Sequence, residues 1–314
     1  MLYSTRNAFL WIENFGKPSH FRLFFAKILT LGQTTVMPQA LKTRLLADIE
    51  RIACALTLPA AAHCEVPELH ERTPLPEKFK KFGVLLLEDR SCGFFYSQLS
   101  HNRQQPQHTA SVAQRAVGLP VADVARWYVS SDAVERTLGM AAINAISQHV
   151  FARAGLFSQS PRAINKRPAE HIVMVGYFPP LVSRFQQRGQ KFTVLESDPA
   201  YLSDEIPGDV TLDPSVLSQG DEVLCTASTL LNDTLPDLLA RVSPAAHVAL
   251  IGPTAGCVPD SLMQAGIHEI GASRVVDVDA LIHRLRQAEP WGDSVAKYTL
   301  HAHSYPGLEA LLAS

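Results

Sequence analysis

Glycine is scarce where a dinucleotide fold needs it most. The turn Gly176-Tyr177-Phe178-Pro179-Pro180 carries two aromatics and two prolines where that fold places glycines against a pyrophosphate. An ordinary NAD site is not expected here. Cysteine is also sparse. Cys54, Cys64, Cys92, Cys225 and Cys257 form no Cys-x-x-Cys pair, and their odd number and wide spacing argue against a disulfide framework or a structural zinc knot. A reducing, cytoplasmic setting fits that usage. No stretch approaches the roughly 20 apolar residues of a membrane span. Neither charge sign dominates: the net charge is -2, which argues against a broad nucleic-acid or anionic-membrane surface. No Ser, Cys or Lys nucleophile stands in a visible pairing with a base, although such partners can be distant in sequence.

What is present is a folded chain of 314 residues, 46% of them apolar, long enough for one large domain or two ordinary ones. Residues 1–35 hold apolar islands, Phe9-Leu10-Trp11 and Phe21-Arg22-Leu23-Phe24-Phe25, interrupted by charges. They lack the unbroken core of a signal peptide and are read as an extension that packs on the body, on a protein partner or on a second copy. Leu41, Leu45, Leu46, Ile49 and Ile52 recur at helical spacing. Residues 59–78 read as a loop. Phe82–Leu87 and Gly93–Tyr96 read as an antiparallel hairpin, and 101–107 as a further loop. A longer helix follows, with Asp132 as its cap and Glu135 in capping-box position. Gly139, Ala141, Ala142 and Ala145 leave it a surface that another backbone can approach, and Gly155 suits the position after it. A polar linker, 158–170, separates a first domain, 36–160, from a second, 161–314.

The second half alternates strand and helix. Strands are expected at 171–175, 192–195, 222–225, 247–251 and 274–276, the last entered through a Gly271-Ala272-Ser273 turn. Helices are expected at 180–188, 214–217, 235–241, 259–264 and 278–287. This is an α/β pattern with an open parallel sheet, whose ligand crevice lies along the strand carboxyl ends. The turn residues there are the candidates. Gly176 permits a tight turn. Tyr177 and Phe178 either stack on a planar ligand or fill the interface between the two domains. Glu196 and Asp198 end the second strand and either accept ribose-type hydroxyls or cap the next turn. Thr226 and Asn232 can exchange hydrogen bonds with a polar ligand, or Asn232 forms an Asx turn. Thr234 is expected to cap the next helix with its hydroxyl. Gly252 and Thr254 form either a ligand wall or a rigid connection. Cys225 and Cys257 are the candidate metal ligands, with His301 or His303 as a third donor, set against ordinary buried thiols.

Five runs in this order carry a resemblance. They are Tyr128-Val129-Ser130-Ser131-Asp132 with Leu138-Gly139-Met140-Ala141-Ala142-Ile143-Asn144-Ala145, then Val175-Gly176-Tyr177-Phe178-Pro179, then Leu231-Asn232-Asp233-Thr234-Leu235 with Ile251-Gly252-Pro253-Thr254. Over roughly residues 82–277 the chain resembles the bacterial and archaeal family described as "putative heavy-metal chelation" proteins. The resemblance implies an α+β domain like the amino-terminal domain of enolase, followed by a Rossmann-like parallel-sheet domain. It also implies a site between them, at Asn144, Tyr177, Phe178, Asn232 and Thr254, and a role in handling a metal ion or metal chelate. Asn144 stands on an otherwise apolar helix, so its amide bonds either to nearby backbone or into that cleft. Two functions remain open: binding a transition metal or a metal-associated small molecule, and enzymatic action on a planar nucleoside-like or pterin-like metabolite.

Overall fold

The computed structural model describes residues 38–66, 82–96, 106–158, 169–203 and 206–314. The expectations for residues 1–35, the boundary at 160/161 and most of the 158–170 linker and the 101–107 loop lie outside them.

The spacing of Leu41, Leu45, Ile49 and Ile52 puts them on one stripe of helix α1 (Pro38–Ala55), where each is at most 4% exposed. The strands β1 (Ala61–Glu65), β2 (Phe82–Leu87) and β3 (Cys92–Tyr96) form an antiparallel sheet in that order. β1 corrects the expected loop. Proline and charge mark the end of that stretch, while its start is held as a strand by pairing with β2, Ala61 opposite Leu87. Helices α2 (Pro106–Ala116) and α3 (Val121–Arg126) lead to the long α4 (Ala133–Arg153).

Asp132 caps α4, its carboxylate accepting the N–H groups of Val134 at 2.7 Å and Glu135 at 3.0 Å. Glu135 does not return the bond directly. The Asp132 N–H donates to Ser130 Oγ, and that hydroxyl donates to Glu135, so the expected box is relayed through a serine. The small residues of α4 serve the close approach read from them. A Cβ at Gly139 would lie 2.2 Å from Tyr128 N, and one at Gly93 of β3 would lie 1.9 Å from the Ala141 carbonyl oxygen.

The second sheet has seven strands in the order β10-β9-β8-β7-β4-β5-β6. They are β4 (Ile172–Val175), β5 (Phe192–Leu195), β6 (Val210–Thr211), β7 (Glu222–Thr226), β8 (His247–Ile251), β9 (Glu269–Val275) and β10 (Val295–His301). All neighbours are parallel except β9 and β10. The chain runs outward from β4 through β5 to β6, then returns to β7 on the other side of β4. That reversal is the topological switch of a doubly wound fold. Helices α5 (Pro179–Gln187), α6 (Leu235–Leu239), α7 (Asp260–Gln264) and α8 (Val278–Arg286) fall close to their expected places, and α9 (Leu308–Ala313) follows β10. Pro214–Gln219 is a 3-10 helix rather than an α-helix. β9 starts before the expected turn: Gly271 lies inside it because Ile251 of β8 packs there, a Cβ at Gly271 meeting Ile251 Cγ2 at 3.2 Å.

Period-2 alternation divides the parallel strands between two cores. Val173, Val175, Leu195, Val223, Cys225 and Leu250 face one way and merge with Leu45, Ile49, Leu138 and Ile146 of the amino-terminal half. Ile172, Met174, Val194, Leu224 and Ala249 face the other way, under Val182 and Phe185 of α5. A third cluster seats Val278, Leu281 and Leu285 of α8 on Val84 and Phe94 of the antiparallel sheet. No helix among the described residues is long and apolar enough to cross a membrane.

Candidate functional site

The carboxyl ends of β4, β5 and β7 meet at the switch point and enclose a recess of about 80 Å³. That space admits a few waters or one polar group of a larger ligand. Gly176, Glu196, Ser197, Thr226, Thr229, Asn232 and Thr234 supply its polar wall, and Val175, Leu195 and Leu238 its apolar floor. Gly176 takes φ +90, and a Cβ there would meet Thr226 Cγ2 at 3.1 Å, so the turn after β4 closes tightly against the end of β7.

Glu196 directly follows β5 and reaches back to the first turn. One carboxylate oxygen accepts the Tyr177 N–H at 2.7 Å and the other the Ser197 N–H at 3.1 Å. Burial raises its pKa above the ordinary 4.5; the two N–H bonds oppose that, and nearby Asp198 adds to it. Asp198 itself turns away and accepts the Ala200 N–H at 2.9 Å. Thr226 Oγ1 accepts the Ser228 N–H at 3.3 Å, while its carbonyl accepts the Thr229 hydroxyl at 2.6 Å.

Asn232 forms an Asx turn. Its Oδ1 accepts the Thr234 N–H at 3.3 Å and the Thr234 hydroxyl at 2.7 Å. Thr234 therefore does not cap α6 with its side chain, contrary to expectation, because the neighbouring amide oxygen has claimed the hydroxyl. With Oδ1 so engaged, the Asn232 side-chain NH2 is left as a donor on the recess wall.

The other candidates lie elsewhere. Tyr177 and Phe178 pack on the α5 side of the sheet, away from the amino-terminal half, so they do not fill the interface between halves. Tyr177 stands 5.5 Å from the Tyr201 ring and donates its hydroxyl to the Pro207 carbonyl at 2.9 Å. Asn144 is 2% exposed and donates to the Thr254 carbonyl at 3.0 Å, in the packed seam between α4 and the turn after β8. Its Oδ1 has no partner among the described residues. Gly252, with φ +141, brings that turn against Ala227, and Thr254 is buried beside it. None of these five residues lines the recess.

Cys225 and Cys257 are buried thiols, and burial pushes both up to about 12, so neither is a thiolate at neutral pH. His301 cannot complete a set with Cys225. It lies on β10, and β8 and β9 stand between that strand and β7, a separation of about 14 Å across the sheet. His303 stacks beside His301, with ring centroids 5.5 Å apart. Among the described residues no group of three or more His, Cys, Asp and Glu side chains converges to hold a metal.

Sequence comparison places this geometry among known proteins. Two family models, both described as "Putative heavy-metal chelation", match residues 81–147 and 162–301, together about two thirds of the chain. An uncharacterised protein of Methanocaldococcus jannaschii is 36% identical over 162 residues, covering 51% of this chain. The match spans 62% of that relative's own length. Two crystal structures of proteins of unknown function from the DUF364 family share the fold. The one from Pyrococcus horikoshii gives a TM-score of 0.59 at 19% identity, over 82% of this chain and all of that one. The one from Desulfitobacterium hafniense gives 0.57 at 21% identity, over 90% of this chain and 98% of that one. The chain belongs to the family described as "Putative heavy-metal chelation".

Proposed function

We propose that the protein binds a small, metal-associated molecule in the cleft at the switch point, with the molecule supplying most of the metal's donors. One observation carries this reading: Gly176, Glu196, Thr226 and Asn232, from the ends of three different strands and the stretches that follow them, wall a single recess where the strand order reverses. Its walls offer one carboxylate, several hydroxyls and an amide donor, and no converging set of metal ligands. Such walls suit the amines, hydroxyls and carboxylates of an amino-acid-type chelator better than a bare cation. The antiparallel half, proposed as an enolase-like unit ending near residue 160, then backs the cleft rather than lining it. A partner or second-copy contact through residues 1–35 belongs to the same proposal.

The test is to purify the full chain under reducing conditions and identify bound metal and organic ligand together by native mass spectrometry. Titration follows with nickel alone, nickel–histidine complex and adenosine. The expected result is that the complex binds and nickel alone does not, with Asn232→Ala weakening the complex about tenfold, as loss of one hydrogen bond does. Protein that carries no metal or chelate and binds neither form of nickel would overturn the reading.

A second reading rests on Glu196. A carboxyl with a raised pKa in a cleft is a candidate general acid or base, and its place after the second parallel strand suits ribose hydroxyls. On this reading adenosine binds and a nucleoside-like metabolite is turned over, with activity lost in Glu196→Gln.

A further inference from the structure

Asp233 stands between two residues of the cleft wall, yet its own side chain points elsewhere. Its φ is +63, a left-handed conformation that a residue with a Cβ adopts at a cost. Its carboxylate enters a smaller recess, about 10 Å³, shared with Leu41, Lys42 and Tyr128. There Lys42 Nζ lies 2.6 Å from Oδ1 and Arg136 Nη1 lies 3.4 Å from Oδ2. The Lys42 side chain is only 7% exposed and sits 5.2 Å from the centre of the Tyr128 ring. The Tyr128 hydroxyl donates to the Leu230 carbonyl at 2.8 Å. Three side chains of the antiparallel half thus grip the segment that carries Asn232, and none of the three lines the cleft.

We propose that Lys42, with Arg136 as a second cation, is a positioning residue for the cleft. The pair holds Asp233 in its left-handed turn and thereby fixes the Asn232 amide and Thr234 at the ligand wall. A buried ammonium gives up its carboxylate only at the cost of an uncompensated charge, so the turn has one favoured arrangement while the clamp is intact. Ligand binding that needs this arrangement is coupled to the clamp, although the clamp touches no ligand. The coupling rests on the cleft reading above; the clamp itself does not.

Hydrogen exchange of the full chain, read by mass spectrometry, tests the clamp without any ligand. In Lys42→Met the amides of 230–235 are expected to exchange about tenfold faster while the parallel strands stay as protected as before. Lys42→Arg should restore them. Asp233→Gly and Asp233→Ala both leave Lys42 without its carboxylate and should open the turn, the alanine more, since glycine takes a positive φ unaided. Titration with nickel–histidine complex then reads the coupling. Affinity is expected to fall about tenfold in Lys42→Met, and to be no lower in Lys42→Met/Asn232→Ala than in Asn232→Ala. Unchanged exchange at 230–235 in Lys42→Met, or in both Asp233 variants, overturns the clamp. If Lys42→Met loses protection everywhere, exchange at 230–235 in the two Asp233 variants decides. Failure of the wild type to bind the complex counts against the cleft reading, and the exchange result still judges the clamp.

Discussion

Glu196 combines two roles that pull in opposite directions. Its carboxylate receives two backbone N–H groups, yet burial holds its pKa above 4.5. A carboxyl that binds its proton more tightly when folded favours the fold below about pH 4.5, where it is protonated in both states. That contribution is lost as pH rises through the folded pKa, because the unfolded chain ionises first. Glu196→Gln is therefore expected to flatten the fall in stability above about pH 4.5, followed by urea titrations at several pH values. Asn144 makes a contrasting case. Removing its amide in Asn144→Ala strands the buried Thr254 carbonyl and should cost about 2 kcal/mol, seen as a lower urea midpoint at unchanged slope. Affinity for the chelate should not change; a loss of affinity at full stability would return Asn144 to the ligand's side. The recess residues Gly176, Glu196 and Thr226 were legible because each directly follows or ends an apolar strand, and Asn232 because it stands in the polar turn that continues from Thr226. The fates of Asn144 and Thr234 were not, since each depends on a partner that spacing cannot choose: a carbonyl 110 positions away for Asn144, an amide oxygen two positions away for Thr234.

Element boundaries were legible where one physical signal dominated. The stripe of α1, the cap of α4 and the buried runs of β4 and β8 are examples. They failed where two signals competed. Gly271 reads as a turn, but it is a strand residue at a close packing contact with Ile251. β10 was not among the expected strands, although Ala296, Tyr298 and Leu300 alternate with exposed Lys297 and Thr299, the period of an edge strand with one wet face. The contact of α4 with the turn before it gives a direct test. Alanine at Gly139 would place its methyl inside contact distance of the Tyr128 backbone, so α4 or the Trp127–Val129 turn must move. Gly139→Ala should destabilise the protein by about 3 kcal/mol, measured by thermal or urea unfolding. A wild-type melting curve would mean that α4 lies farther from that turn than described.

The largest core runs through both sheets, from Leu45 and Leu138 to Val223 and Leu250. Division of the chain near residue 160 would cut across that core. Calorimetric unfolding is expected to show one transition, with van't Hoff and calorimetric enthalpies in agreement; two separated transitions would mean that the halves fold independently. This continuity was not visible in the sequence. Each half shows its own periodicity, and nothing in either states that their apolar faces meet.

Lys42 adds a matter of timing. It leaves the ribosome long before Asp233, the carboxylate that neutralises it. Leu230, Leu235 and Pro236, which help wall Lys42 in, emerge with that acid, so until then the ammonium keeps its water. The charge is thus enclosed and neutralised in a single event, when the segment after β7 docks on α1.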